Sequence, residues 1–344
     1  MTSHPVTPER AVRPDQQPLP GARRSVFFIA LLALATVVVA SLLCGVTSFT
    51  PWEAVSNDET RALILQLRLP RTLCAVVVGG GLAIVGAIYQ SIFRNYLASP
   101  FTLGVSSGAA LAASSALVLG FGSAWGGLDI GVYALLGALG SIGSILAVYR
   151  LNARNDSNTL LLIGIVFSFF CSSLLTLLQY VADFSQLFQV TRWMMGGIPL
   201  VSWDDLVLGT MCVLVVLVWA LRNARGLDLM LFGDDLASVK GIDARRLTTA
   251  TFVLTSFVVG WVVAQCGVIG FVGIIVPALS RLLVGVSHSR VLPISAVLGA
   301  LLVVLCDLAG RMLIAPFEIP AGVFTAVLGG PAFVVLLCRP SRVW

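Results

Sequence analysis

The stretch LTTATFVLTSFVVGWVVAQCGVIGFVGIIVPALS, residues 247–280, runs for 34 residues without a charged side chain. The hydrocarbon layer of a bilayer is about 30 Å thick and takes roughly 20 apolar residues of helix to cross. The stretch is therefore too long for one ordinary span. Gly267, Gly270, Gly273 and Pro277 each weaken a continuous helix inside it. Whether it is one span or two, near 247–264 and 268–286, decides on which side of a membrane everything after residue 280 lies.

Composition places the rest of the chain in a bilayer as well. Of 344 residues, 58% are hydrophobic and 11% are charged, and the mean hydropathy is +0.99. That leaves too little polar surface to wet a globule. Further apolar runs lie at 26–46, 72–93, 99–120, 130–149, 159–182, 206–221, 291–306 and 321–338. Runs of this length exceed a barrel strand, and backbone groups in lipid must bond internally, so the expected class is all-α and polytopic. Residues 1–24, with five prolines and four arginines, read as a disordered cytoplasmic tail. The run 26–46 lacks an A-x-A-like cleavage site and reads as a retained first span, opening a transmembrane domain over 25–344.

The seven cysteines fall in or beside apolar runs with no CxxC among them, and read as small packing residues. The net charge of +5 comes from arginines scattered at span ends, which speaks for topology and against nucleic acid. Cytoplasmic loops carry an excess of Lys and Arg. With ten spans and both termini in the cytoplasm, 16 of the 21 Lys and Arg residues fall inside and 5 outside. With nine spans the split is 13 to 8. The count favours ten.

The five left outside are Arg61, Arg68, Arg71, Arg192 and Arg311. Two readings stand: arginines near span ends reach to the headgroups, or several on one face form a basic surface for an acidic partner.

The loop 222–246, RNARGLDLMLFGDDLASVKGIDARR, carries a short helix signal. Asp234 and Asp235 suit its start, Lys240 its last turn, and Gly241 the left-handed residue that ends it. Phe232, Leu236 and Val239 follow at i, i+4 and i+7, one apolar stripe that needs a cover, either the chain's own helix ends or a partner. In the fifth span, Ser168, Ser172, Thr176, Gln179 and Asp183 share one helical face. That stripe suits a wet pathway or close helix packing. Glycines 79, 80, 81, 86, 322, 329 and 330 permit close helix approach.

In order along the chain, LRLPRT (67–72), GGGLAIVGAIYQSIFRNYLASPFTLGVSSGAALAA (79–113), WMMGG (193–197), GDDLASVKG (233–241), GVIGFVGIIVP (267–277), DLAGR (307–311) and EIPAGVFTAVLGGP (318–331) resemble the FecCD family. These are permease subunits of bacterial ABC importers for iron-siderophores, haem and vitamin B12. Two departures are Tyr96, where members often have Pro, and Ala278, where they often have His.

The resemblance implies a ten-helix type II importer permease of the vitamin B12 importer type in the bacterial cytoplasmic membrane. It implies a pathway shared with a second copy, two separate ATPase subunits that use ATP and Mg, and a substrate-binding protein. By the same resemblance Arg68, Arg71 and Arg311 face acidic residues of the binding protein. Phe232, Gly233, Asp234, Asp235, Leu236, Val239 and Gly241 form the coupling helix that fits the ATPase. Ser157 and Asn158 match the cytoplasmic gate, and the fifth helix borders the pathway.

No GxxxxGK[ST] loop is present, so nucleotide chemistry belongs elsewhere, and no cofactor or paired metal ligand is expected in this chain. The expected cargo is a metal chelate, ferric siderophore first, with haem or cobalamin as alternatives. An ion-coupled secondary transporter is the rival class. It is disfavoured because no carboxylate sits at any span centre.

Overall fold

A computed structural model describes residues 20–45, 49–50, 52, 56–120, 130–151, 157–314 and 317–338. Among these, the regular structure is entirely helical. We number the helices α1 (Pro20–Leu43), α2 (Asp58–Leu63), α3 (Leu69–Ile92), α4 (Val105–Val118), α5 (Ile130–Leu151), α6 (Ser157–Val181) and α7 (Phe184–Met194). There follow α8 (Trp203–Arg222), α9 (Ala224–Met230), α10 (Asp234–Val239), α11 (Ala244–Cys266), α12 (Val272–Val284), α13 (His288–Met312) and α14 (Ala321–Cys338). A π-helical turn, Ile64–Arg68, joins α2 to α3.

The ten expected spans correspond to α1, α3, α4, α5, α6, α8, α11, α12, α13 and α14. Seven are long and apolar enough to cross a bilayer, while α4, α12 and α14 are shorter apolar helices. At 1.5 Å per residue the 13-residue α12 covers only about 20 Å, so length alone misses it. α1 begins at Pro20, inside the stretch expected to be tail, and residues 1–19 lie outside the described residues.

The deciding stretch is two helices, and the chemistry of the break is visible. α11 ends at Cys266, Gly267 turns into positive φ (69°), and Phe271 adopts a left-handed φ of 65° before α12 starts. A Cβ at Gly267 would lie 2.2 Å from the Trp193 carbonyl oxygen, so only glycine lets the two backbones meet. The WMMGG segment closes the same junction: Gly197 N–H donates to Cys266 O (2.9 Å), and Gly322 N–H at the start of α14 donates to Gly196 O (2.8 Å). Pro277 is carried inside α12 without ending it.

The centre of the bundle is the pair α3 and α13, with α12 beside them. In its most apolar window the α2–α3 segment is 83% buried, against 11% for α1 and 22% for both α6 and α8. Small residues set this order. A Cβ at Gly79 would lie 2.2 Å from Gly299 O, and one at Gly86 would lie 2.0 Å from Gly273 O. Backbones in van der Waals contact replace the hydrophobic drive that lipid removes. Gly330 departs from the expected packing role, since nothing lies within 4 Å of its would-be Cβ.

Candidate functional site

The bundle has two ends with different chemistry. At one end meet the C-termini of α1 and α13, the start of α3 and the segment leading into α14. Arg71 Nη2 lies 3.0 Å from Asp307 Oδ1 and 3.0 Å from Glu318 Oε2. Arg311 Nε lies 3.0 Å from Asp307 Oδ2, within ion-pair distance but without a hydrogen bond's alignment. Its Nη2 donates to Ser41 Oγ at 2.6 Å, and Ser41 in turn shares a hydrogen bond with Thr72. Arg68 Nη1 donates to the carbonyls of Leu42 and Leu43 at the end of α1, at 3.0 and 3.1 Å, and its guanidinium lies over the Phe49 ring. A cation there satisfies carbonyls that a helix end leaves without intrahelical donors.

The three arginines do form one cluster, but not one uniformly presented surface. Arg311 is 5% exposed and Asp307 3%, whereas the Arg71 side chain keeps 18% and Glu318 46%. A charge withdrawn from water requires a counter-charge, and Asp307, one turn before Arg311, supplies it to both Arg311 and Arg71. Arg311 is thus a buried member of the cluster, and Arg68 and Arg71 carry its accessible part. Sequence reasoning missed Asp307 and Glu318 as the counter-charges. The motifs DLAGR and EIPAG contain both, but nothing local pairs Asp307 with an arginine 236 positions away.

At the opposite end α9 and α10 form a hairpin between α8 and α11. Asp234 and Asp235 occupy the first turn of α10, Lys240 caps its end, and Gly241 follows at φ 82°. Gly233, at φ 122°, provides the sharp entry. Phe232 is 74% exposed, Leu236 42% and Val239 83%. The stripe is therefore not covered by the chain's own helices. An open cleft of about 540 Å³ beside it is lined by Tyr149, Asp234, Ser238, Ile242, Arg245 and Thr248.

Two links tie this hairpin to the bundle. Arg94, held at a left-handed φ of 48° just after α3, reaches Asp234 at 3.7 Å. The second link was not foreseen: Asp228 of α9 accepts from the backbone N–H of His288 at 2.8 Å, pairs with its Nδ1 at 2.5 Å, and accepts from Ser287 Oγ at 3.2 Å. His288 Nε2 meets Ser91 Oγ at the end of α3. His288, which falls in the gap between the expected spans 268–286 and 291–306, is the fully buried first residue of α13. Burial works against the Asp228 charge, but the hydrogen bonds from His288 outweigh it and hold the carboxyl below its ordinary value. Nearby, Arg281 is 4% exposed, donates to Gln90 Oε1 and lies over the Tyr96 ring.

The polar face of α6 is real but mixed. Leu160, Gly164, Cys171 and Leu175 form its buried side, against α4 and α5. Ser168 is turned partly inward, its Oγ donating to Gly164 O (2.9 Å). Ser172 and Thr176 are exposed, and Thr176 Oγ1 donates to Ser172 O. Gln179 Nε2 contacts Met194 Sδ at 3.7 Å. Asp183 leaves the stripe and caps α7 through a capping box with Gln186. Ser157 and Asn158 open α6, but their side chains lie outside the described residues. Among the described residues, no group of three or more His, Cys, Asp or Glu could hold a metal ion.

The chain is similar to known proteins over most of its length. The FecCD transport family model matches residues 31–339. The hemin transport system permease protein HmuU of Yersinia pestis is 36% identical over 318 residues, covering 91% of this chain and 94% of that protein. The vitamin B12 import system permease protein BtuC of Salmonella arizonae is 35% identical over 317 residues, with 91% and 94% covered. A solved structure described as an inward-facing conformation of a metal-chelate type ABC transporter superposes with a TM-score of 0.82 at 32% identity, covering 91% of this chain and 99% of that one. Because the family match spans nearly all of the chain and these relatives cover nine-tenths of it, the chain belongs to the FecCD transport family, as a multi-pass ABC importer permease subunit whose ATPase is a separate polypeptide.

Proposed function

We propose that the chain imports a bulky metal chelate across the bacterial cytoplasmic membrane, as a homodimer around one pathway, with both termini in the cytoplasm. Ferric siderophore, haem and cobalamin all fit this reading, and the relatives named for hemin and vitamin B12 support the chelate class without choosing within it. The single observation that carries the reading is the uncovered stripe of Phe232, Leu236 and Val239 on a hairpin anchored to the two central helices. Two ATPase subunits, which bind ATP and Mg, would cover one such stripe in each copy. A substrate-binding protein would dock on the opposite end through Arg68 and Arg71, with Arg311 holding the cluster together from inside. Ser168, Ser172, Thr176 and Gln179 would line the pathway, and Ser157 and Asn158 its cytoplasmic gate.

An ion-coupled transporter finds less support. The buried carboxylate Asp307 lies between two arginines in the last two turns of α13, where it is committed as a counter-ion. The deciding experiment is reconstitution in liposomes with the ATPase and binding protein of the same importer. Uptake of ferric siderophore, hemin and cobalamin is then measured in parallel. ATP-dependent uptake of one chelate that disappears without either partner is the expected result. Uptake driven by an ion gradient alone would refute it.

A further inference from the structure

The accessible arginine at the docking end already holds a carboxylate. Arg71 Nη2 serves two acceptors at once, the buried Asp307 at 3.0 Å and the half-exposed Glu318 at 3.0 Å. Asp307 is 3% exposed and paired with Arg311 as well, so it is fixed in the protein interior. Glu318 is different. It lies in the irregular segment that follows α13 and precedes α14, and its side chain is 46% exposed. It occupies a donor of Arg71 that an external acidic group would otherwise use.

We infer that Glu318 is an intramolecular placeholder for the acidic residue of the docking partner. The partner's carboxylate exchanges with Glu318 on Arg71, and the exchange releases the segment leading into α14. This rests on the reading of Arg68 and Arg71 as docking residues. The geometry favours an exchange over a simple addition: Arg71 is already shared between Asp307 and Glu318, so a third carboxylate pairs fully with it only by displacing one of them, and Glu318 is the exposed one.

The displaced carboxylate needs little desolvation, because it is already half in water, so the exchange replaces one partly screened pair by another. The mechanical consequence is local. Glu318 is followed by Ile319, whose N–H donates to Gly310 O at 3.1 Å, and by Pro320, whose carbonyl accepts from Val323 in the first turn of α14. The ion pair through Arg71 and the Ile319–Gly310 bond both tie the entry of α14 to the α3–α13 pair. Loss of the ion pair weakens that hold on the helix that the Gly322 and Gly329 contacts bring against the 195–196 turn and Phe271.

The test is association of the full permease, in lipid nanodiscs, with the immobilised binding protein of the same importer, followed as rates at low and high ionic strength. Glu318→Gln is expected to raise the association rate about threefold to tenfold at low salt. Part of the gain in affinity should persist at about 0.5 M salt, where exposed charges beyond a few ångströms are screened. The gain should be absent when Arg71→Glu is combined with it. Hydrogen exchange at the Ile319 amide should rise on docking to the wild type and be raised already in E318Q. If Arg68→Glu with Arg71→Glu slows docking but E318Q changes nothing, or its gain vanishes in high salt, the placeholder is overturned and the docking reading survives. If the double reversal leaves docking unchanged, both fall together.

Discussion

The two ends of the bundle solve opposite problems. At the arginine end, five charged side chains meet, and most of their demand is met inside the molecule by Asp307, Glu318, Ser41 and the carbonyls of α1. At the hairpin end the polar groups are likewise paired, Asp228 with His288 and Asp234 with Arg94, but three large apolar side chains are left in the open. A self-satisfied charge cluster contributes little net affinity to a partner and chiefly orients it. An uncovered apolar stripe gains free energy only when something covers it, at about 25 cal/mol per Å². The difference predicts a transient contact at the first end and a lasting one at the second.

The largest effect is expected from breaking the frame that both ends share. Gly86→Val places a side chain against the Gly273 carbonyl, where the obstacle is backbone and cannot step aside. The cost should exceed the about 3 kcal/mol typical of overpacking, seen as loss of monodisperse permease after detergent extraction. Gly330→Val, with open space around it, should leave the yield unchanged.

Next in size is the hairpin. Val239→Asp puts a charge into the proposed ATPase interface and should cost about 2 kcal/mol or more of binding, roughly 30-fold. It is read as ATPase retained on the purified permease together with chelate uptake. Retained ATPase with normal uptake would remove the stripe from the mechanism.

The hairpin's tether is expected to matter less for assembly. Asp228→Asn keeps the shape but loses the charge-assisted bonds to His288, and should lower thermal stability by about 1 to 3 kcal/mol. The sign of the pH dependence follows from the lowered folded-state carboxyl. The wild-type contribution is complete above the ordinary carboxylate range. It is lost as pH falls through the folded-state value, so wild type and D228N should converge in acid. Thermal unfolding from pH 7 downward measures this.

The smallest equilibrium effect belongs to the arginine end. Arg68→Glu with Arg71→Glu should slow binding-protein association by about tenfold at low salt, with a much smaller change at high salt. A large loss that persists in high salt would mean that this end too contributes contact energy, and the contrast between the ends would disappear.

The sequence shows the frame well because lipid imposes simple rules. The break at Gly267, the turn at Gly241 and the acidic start at Asp234 are local chemistry, and the structure has them where the residue types require. What it conceals is pairing across the fold. Asp307 reads as one more residue near a span end until Arg71 is brought to it. His288 reads as a loop residue until Asp228, 60 positions earlier, and Ser91, 197 earlier, enclose it. Exposure is equally hidden. Periodicity shows that Phe232, Leu236 and Val239 share a face, and only the folded chain shows that its own helices leave that face bare.

α3 carries Arg71 in its first turn and Ser91 in its last, and α13 carries His288 at its start and Asp307 and Arg311 at its end. Touching along their glycines, the two helices form one strut of about 36 Å that reaches both ends of the bundle. A tilt of about 5° at the hairpin is then a sideways step of about 3 Å at the arginines, a distance as long as the ion pairs there. In the proposed import cycle, a movement at one end would thus reach the other as displacement.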